Sequence, residues 1–257
     1  MPECAKWYNG KLLYEVVPKK DLYEFALPDA AKDLVFMAKL TEGTERYDEI
    51  VQCMRKLKMN SELDTEARNL LSMAYKNVIG SRRNAWRIIT SIESRESAKE
   101  KSENMPFIAS LRREFEMELA AVCEDLLGLL DTYVIPASQG GQTKVFYLKM
   151  KGDYHRYYAE IAPEAGKRQA ALDAYDKATE VANTSLAPTH PIHLGLALNY
   201  SVFYYEIMLE HERGIQLARQ AYDEAVTGME TLDDETYRES NLILHLLRDD
   251  LNLWTDE

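Results

Sequence analysis

Two long stretches of this chain hold no proline, one from Asp29 to Met105 and the other from Ile192 to Glu257. Proline lacks the amide proton a helix needs and clashes with the carbonyl four residues back, so such stretches can carry long helices. The prolines at 106, 136, 163, 188 and 191 fall where helical patterns stop or restart. Between them the sequence is rich in Ala, Leu, Glu, Lys and Met, and apolar residues recur at i, i+3, i+4 and i+7. No alternating strand pattern of any length is present. The spacing predicts an all-α protein with helices over 30–43, 47–58, 65–95, 106–134, 141–161, 165–186, 191–208, 212–229 and 234–255. Short connections between them imply antiparallel neighbours in a layered array. The segment 137–142 (ASQGGQ) is expected to be the most flexible internal connection. Residues 1–29, with three prolines and Trp7, Tyr8, Tyr14 and Tyr23, differ in texture and read as an N-terminal extension to a helical domain over 30–257.

Charge and cysteine usage exclude several function classes. Lys and Arg number 31 against 43 Asp and Glu, a net charge of −12, which argues against nucleic acid or anionic lipid as a partner. No apolar run is long enough to cross a membrane. Residues 1–20 mix charges with aromatics and do not resemble a secretory signal. Cys4, Cys53 and Cys123 are scattered and read as free thiols in a reducing compartment, so a cytoplasmic or nuclear location is expected. His190 and His193 lack further ligands nearby, so neither a metal nor another cofactor is expected. With no Ser-His-Asp order, phosphate-cradling glycine loop or paired carboxylate motif, the chain does not read as an enzyme.

Two helices are apolar on more than the face that packing requires. In the last, Leu244, Leu247, Leu251 and Trp254 form one seam, and Leu242, Leu246 and Leu253 a displaced second stripe. In 191–208, Leu194, Leu198 and Val202 repeat at i+4 while Ala197, Tyr200 and Tyr204 cover another face. Surplus apolar faces are either deeply buried or line a groove for a partner. The cations form a second pattern. Lys76 and Arg83 stand two turns apart on helix 65–95, with Arg87 beyond, and Lys149 and Arg156 repeat that spacing on helix 141–161, next to Tyr157. Two antiparallel helices could bring these heads to one point, and a phosphate dianion calls for guanidinium forks, an ammonium and a neutral donor together. Spacing alone leaves open the plainer reading, solvated helix charges paired with glutamates a turn away.

Residues 68–78 (RNLLSMAYKNV) and 237–255 (YRESNLILHLLRDDLNLWT) closely resemble the two signatures of the 14-3-3 family. Residues 145–157 (VFYLKMKGDYHRY) and 188–206 (PTHPIHLGLALNYSVFYYE) match as well, and the resemblance runs from about Phe36 to Trp254. It implies nine antiparallel helices in a cup-shaped dimer that binds phosphoserine or phosphothreonine segments of client proteins. On that resemblance Lys76, Arg83, Arg156 and Tyr157 would hold the phosphate. Lys149 and Asn199 would serve the ligand backbone and groove, with Glu206 and Trp254 nearby and Leu198, Val202, Leu242, Ile243 and Leu246 as the apolar wall. Residues 30–134 would form the dimerisation half and 141–257 the groove half.

Departures from the family pattern accompany the match. Asp250 stands where the family has a groove asparagine, so a donor is lost and a charge gained. In the dimer interface Arg46 and Glu118 keep one expected cross-pair. Glu49 would face Glu114 in place of a lysine, and Leu111 replaces a tyrosine. Leu40, Ile89 and Ile92 retain the apolar part, so a dimer, homotypic or with a paralogue, is expected to be weakened. No counterpart of the family's acidic tail follows Trp254, and none can be placed for residues 1–29. The rival reading, a phosphate-independent scaffold similar to tetratricopeptide arrays, would need a 34-residue repeat, and none is found.

Overall fold

The computed structural model describes residues 5–8, 11–14, 25–57, 62–99, 102–162 and 165–255. Cys4, Tyr23, Lys58 and Pro163 lie outside them. The chain divides into two compact units, residues 1–57 and 58–257.

In the first unit, β1 (Ala5–Tyr8) and β2 (Lys11–Tyr14) pair antiparallel, Ala5 opposite Tyr14 and Tyr8 opposite Lys11. This short hairpin falls within residues 1–29, read as an extension, and the all-α reading of the chain stands. The available signal was Asn9-Gly10, the dipeptide most favoured between two hairpin strands. Helices α1 (Ala31–Glu42) and α2 (Tyr47–Lys56) follow, burying Leu34, Ala38, Ile50, Cys53 and Met54. Their connection turns through Glu45 at φ 56° and is fastened by the Arg46 amide on the Thr41 carbonyl at 3.0 Å. Lys56 donates to the Leu27 carbonyl at 3.0 Å and to Asp29 at 2.8 Å, tying the segment before α1 to the end of α2.

The second unit holds seven helices among the described residues, so nine in all are seen in the chain. They are α3 (Thr65–Ser97), α4 (Met105–Leu129), α5 (Gly141–Ile161), α6 (Ala165–Ser185), α7 (Pro191–Val202), α8 (His211–Val226) and α9 (Asp234–Thr255). Each packs on its sequence neighbour, and α7 also meets α5 and α9. Local chemistry marks the starts. Asp64 accepts the Ala67 amide at 2.8 Å ahead of α3, and the His190 ring accepts the Ile192 amide at 3.1 Å with Pro191 in the first turn of α7. His190 thus has a capping role.

Two boundaries differ instructively from the pattern reading. The helix expected to stop at 134 continues through a wide π-turn, Leu130–Val134, into Ile135–Ala137, which carries Pro136. The widened turn accommodates a ring that regular α geometry would reject. The helix expected to reach 229 ends at Val226, and Met229–Thr231 forms a separate 3₁₀ turn after Gly228. α7 likewise passes into a π-turn, Phe203–Met208, closed by Leu209 at φ 58°.

Two apolar clusters among the described residues join α5 through α9. One gathers Val145, Leu148, Tyr175, Leu196, Tyr200, Phe203 and Tyr204 from α5, α6, α7 and the π-turn that follows α7. The other gathers Leu194, Ala218, Leu244, Leu247, Leu251 and Trp254 from α7, α8 and α9. Helix α7 is therefore apolar on two faces because it serves two clusters. Gly152 decides how closely α5 and α6 approach, since a Cβ there would fall 2.6 Å from the Tyr175 ring.

Candidate functional site

Tight α5–α6 packing places the Tyr175 hydroxyl beside Asp153, and from that contact the site is built. Asp153 is 6% exposed. Its Oδ1 accepts from Tyr175 at 2.7 Å and from the Asn199 amide at 2.8 Å, and its Oδ2 accepts from Lys149 at 2.8 Å. Arg156 adds a guanidinium nitrogen 3.7 Å from Oδ1, and its Nε donates to Tyr175 at 3.2 Å. Burial alone would raise the Asp153 carboxyl, but Lys149 and Arg156, with the hydrogen bonds, hold it below the usual carboxylate range. One ionised carboxylate thus fixes a lysine, an arginine, an asparagine and a tyrosine from three helices. The sequence reading did not single out Asp153. Its signal was available: a carboxylate four residues after Lys149 and three before Arg156, facing the same way.

Arg83 reaches this region from α3. Its guanidinium carbon lies 4.0 Å from the centre of the Tyr157 ring, and that of Arg156 lies 4.7 Å from it. Two arginines from separate helices therefore meet at one tyrosine. Glu160 holds Arg83 in a fork, Nε to Oε2 at 3.0 Å and Nη2 to Oε1 at 2.5 Å, while Arg87 stands 3.5 Å from Oε1. Glu160 also escaped the sequence reading. Lys76 lies two turns before Arg83 on α3, exposed and without a hydrogen-bond or ion-pair partner among the described residues.

The predicted apolar wall is divided by exposure. Leu198, Val202 and Ile243 are partly buried against the α7–α9 cluster. Leu242 and Leu246 are 64% and 46% exposed on α9. Gly195 links the two sides of the site, since a Cβ there would meet both Lys149 Cε and Ile243 Cδ1 at 3.9 Å. Trp254 is 8% exposed and stacks on Tyr205 at 4.3 Å, which stacks in turn on His211 at 4.4 Å. It is a core residue behind the wall. Glu206 is exposed on the π-turn. Asp250 is half-buried, and burial together with Glu206 and Asp249 pushes its carboxyl upward. Arg248 contacts Asp249 at 3.7 Å.

The residues expected at a dimer interface are dispersed in exposure. Leu40, Leu111, Glu114 and Glu118 are exposed, Ile92 is half-buried and Ile89 is only 7% exposed. Within the first unit Arg46 pairs with Glu49 at 2.6 Å, and Glu49 is 8% exposed. Within the second, Arg82 pairs with Glu118 at 3.0 Å. Among the described residues no group of three or more His, Cys, Asp or Glu side chains could hold a metal, and no helix is long and apolar enough to cross a membrane.

Comparison with known proteins gives one consistent result. A family model described as 14-3-3 protein matches residues 37–255. The chain is 53% identical to 14-3-3 protein 2 of Solanum lycopersicum over 234 residues, 89% of this chain and 92% of that one. It is 53% identical to the 14-3-3 family protein artA of Aspergillus flavus over 228 residues, 87% and 96% of the two chains. It is 51% identical to the 14-3-3 protein homolog of Candida albicans over 234 residues, 90% and 89%.

Proposed function

The chain belongs to the 14-3-3 family, and on that premise we propose that it is a non-enzymatic adaptor that binds client proteins through phosphoserine or phosphothreonine. This reading displaces the repeat-type scaffold, whose sequence period is missing. The observation that carries it is the meeting of Arg83 and Arg156 at Tyr157, at 4.0 and 4.7 Å from the ring centre.

The chemistry follows from what each side chain has left to give. A guanidinium has five N–H donors. Arg83 directs two at Glu160, through Nε and Nη2, and three remain. Arg156 directs its Nε at Tyr175 and keeps its terminal nitrogens, one of them loosely held by Asp153. The carboxylates Glu160 and Asp153 thus hold both arginines in place before a ligand arrives, so little side-chain entropy is lost on binding. Lys76 supplies an unpaired ammonium and Tyr157 a neutral hydroxyl. Beyond the phosphate, Asn199 and Lys149 would meet the ligand main chain, and the exposed Leu242 and Leu246 would cover its apolar side chains. Exposed Leu40 and Leu111 support a dimer with a second copy or a paralogue. A cytoplasmic location, open to the nucleus, fits the free buried thiols Cys53 and Cys123.

Fluorescence titration of one phosphopeptide and its unphosphorylated twin tests the reading. The phosphorylated form is expected to bind at least about tenfold tighter, the effect of one or more charge-assisted contacts. Equal affinity would refute it.

A further inference from the structure

The phosphate pocket as described leaves a neighbouring cleft of the same unit unused. Trp86, Arg87, Glu160, Arg168, Glu206 and Leu209 line it. Its charges are unevenly satisfied. Glu160 is committed to the Arg83 fork and its side chain is only 8% exposed, so Arg87, 57% exposed at 3.5 Å, receives a minor share of that carboxylate. Arg168, in the first turn of α6, buries its Nε with no hydrogen-bond partner and has no ion pair among the described residues. A buried, charged donor without an acceptor is costly, and native structures rarely leave one unanswered. At the rim stands Leu209, 68% exposed and in the left-handed region at φ 58°, a conformation that a branched side chain adopts under strain.

We propose that this cleft is a second anion subsite, which takes a carboxylate or phosphate carried by the same client segment whose phosphoresidue lies between Arg83 and Arg156. Arg168 and Arg87 are the cations that hold it. The inference rests on the phosphate-binding reading and extends it to a preference for clients with two acidic groups at a fixed separation. Glu206 is the opposing feature, since a free carboxylate would attract a basic side chain. It is exposed and can remain hydrated, and with Glu160 taken by Arg83 the guanidinium groups of Arg87 and Arg168 outnumber it, so the anion is favoured.

The test is a walk along one phosphopeptide. Each position up to six residues on either side of the phosphoserine, a reach of ~20 Å in an extended chain, is replaced in turn by Glu, Gln or Arg. The quantity read is the ratio of Glu-peptide to Gln-peptide affinity, in the wild-type chain, Arg168→Gln and Arg168→Lys. At one position the ratio is expected to rise to about three- to tenfold in wild type. It should return to about one in Arg168→Gln and recover in part in Arg168→Lys. Should Arg168→Gln fail to fold, the salt dependence of the wild-type ratio decides, since the Glu advantage must shrink as ionic strength rises. The proposal is overturned by a ratio near one at every position, by an advantage that survives Arg168→Gln or high salt, or by a preference for Arg. Failure of the parent phosphopeptide to bind is a separate result, which would remove the phosphate pocket and this subsite with it.

Discussion

The two sides of the proposed groove handle negative charge in opposite ways. On the α5 side, Asp153 is almost fully buried yet holds its proton loosely, because Lys149, Arg156, Tyr175 and Asn199 all address it. On the α9 side, Asp250 is only half-buried, has no hydrogen-bond or ion-pair partner among the described residues and has Glu206 as a neighbouring charge, so its carboxyl is raised. Burial pushes both carboxyls upward; around Asp153 the cations and donors outweigh it, and around Asp250 no donor among the described residues does. The first acid is structural and orders the cations of the pocket. The second has no such set of donors among the described residues.

Removing the structural acid should have the largest effect. Asp153→Ala would strand Lys149 and Arg156 without their counter-charge, and breaking a buried network of this kind costs on the order of 3–5 kcal/mol. Chemical denaturation should show a midpoint far below wild type, whereas a near-wild-type midpoint would mean that the network contributes little. Next comes the pocket itself. Alanine at Arg83 would leave the nearly buried Glu160 with only Arg87 at 3.5 Å, so a loss of binding could reflect a loss of fold. Lys76→Ala, on an exposed side chain with no ion pair among the described residues, and Arg83→Lys, which keeps the charge but loses the fork, are the sharper variants. Each is expected to weaken a phosphopeptide about tenfold with the unfolding midpoint nearly unchanged. Unaltered titration curves in both would remove these residues from the pocket.

Asp250→Asn tests the other side of the comparison. It restores a donor and removes a charge near the bound dianion, so phosphopeptide affinity should rise by about 1 kcal/mol. Stability should respond as well. A carboxyl whose pKa is raised in the folded chain binds its proton more readily there than in the unfolded chain, so its ionisation destabilises the fold at neutral pH. The Asn variant should therefore melt higher than wild type at pH 7, and the gap should shrink as the pH falls through the raised pKa of the folded carboxyl into the ordinary carboxylate range. A constant gap from pH 7 to pH 4 would show that charge is not the cause. The smallest effect is expected at the exposed Glu114. Glu114→Lys should tighten self-association only a few-fold in sedimentation at falling concentration, because exposed charges are screened. Equal dimerisation would mean that Glu49 and Glu114 do not oppose each other.

How far the sequence reached depended on whether the signal was local. Proline placement and 3.6-residue periodicity specified nine helices and most of their ends, because backbone sterics and one-sided burial act over a few residues. The motifs placed Arg83, Arg156 and Tyr157 in one site, and these three do come together. Non-local facts were out of reach. Nothing in the spacing says that Glu160 would hold Arg83 from 77 residues away, or that Asn199 would bond Asp153 across 46. Trp254 illustrates the limit: periodicity put it on an apolar seam, but only the stacking of Tyr205 on it, with Tyr205 in turn stacked on His211, made it core. Glu49 and Glu118, read as charges waiting for a partner chain, already pair with Arg46 and Arg82 in their own. Sequence determined which side chains share a helix face, since that follows from covalent geometry. The tertiary structure decided which charges are answered, since that depends on donors brought close by other helices.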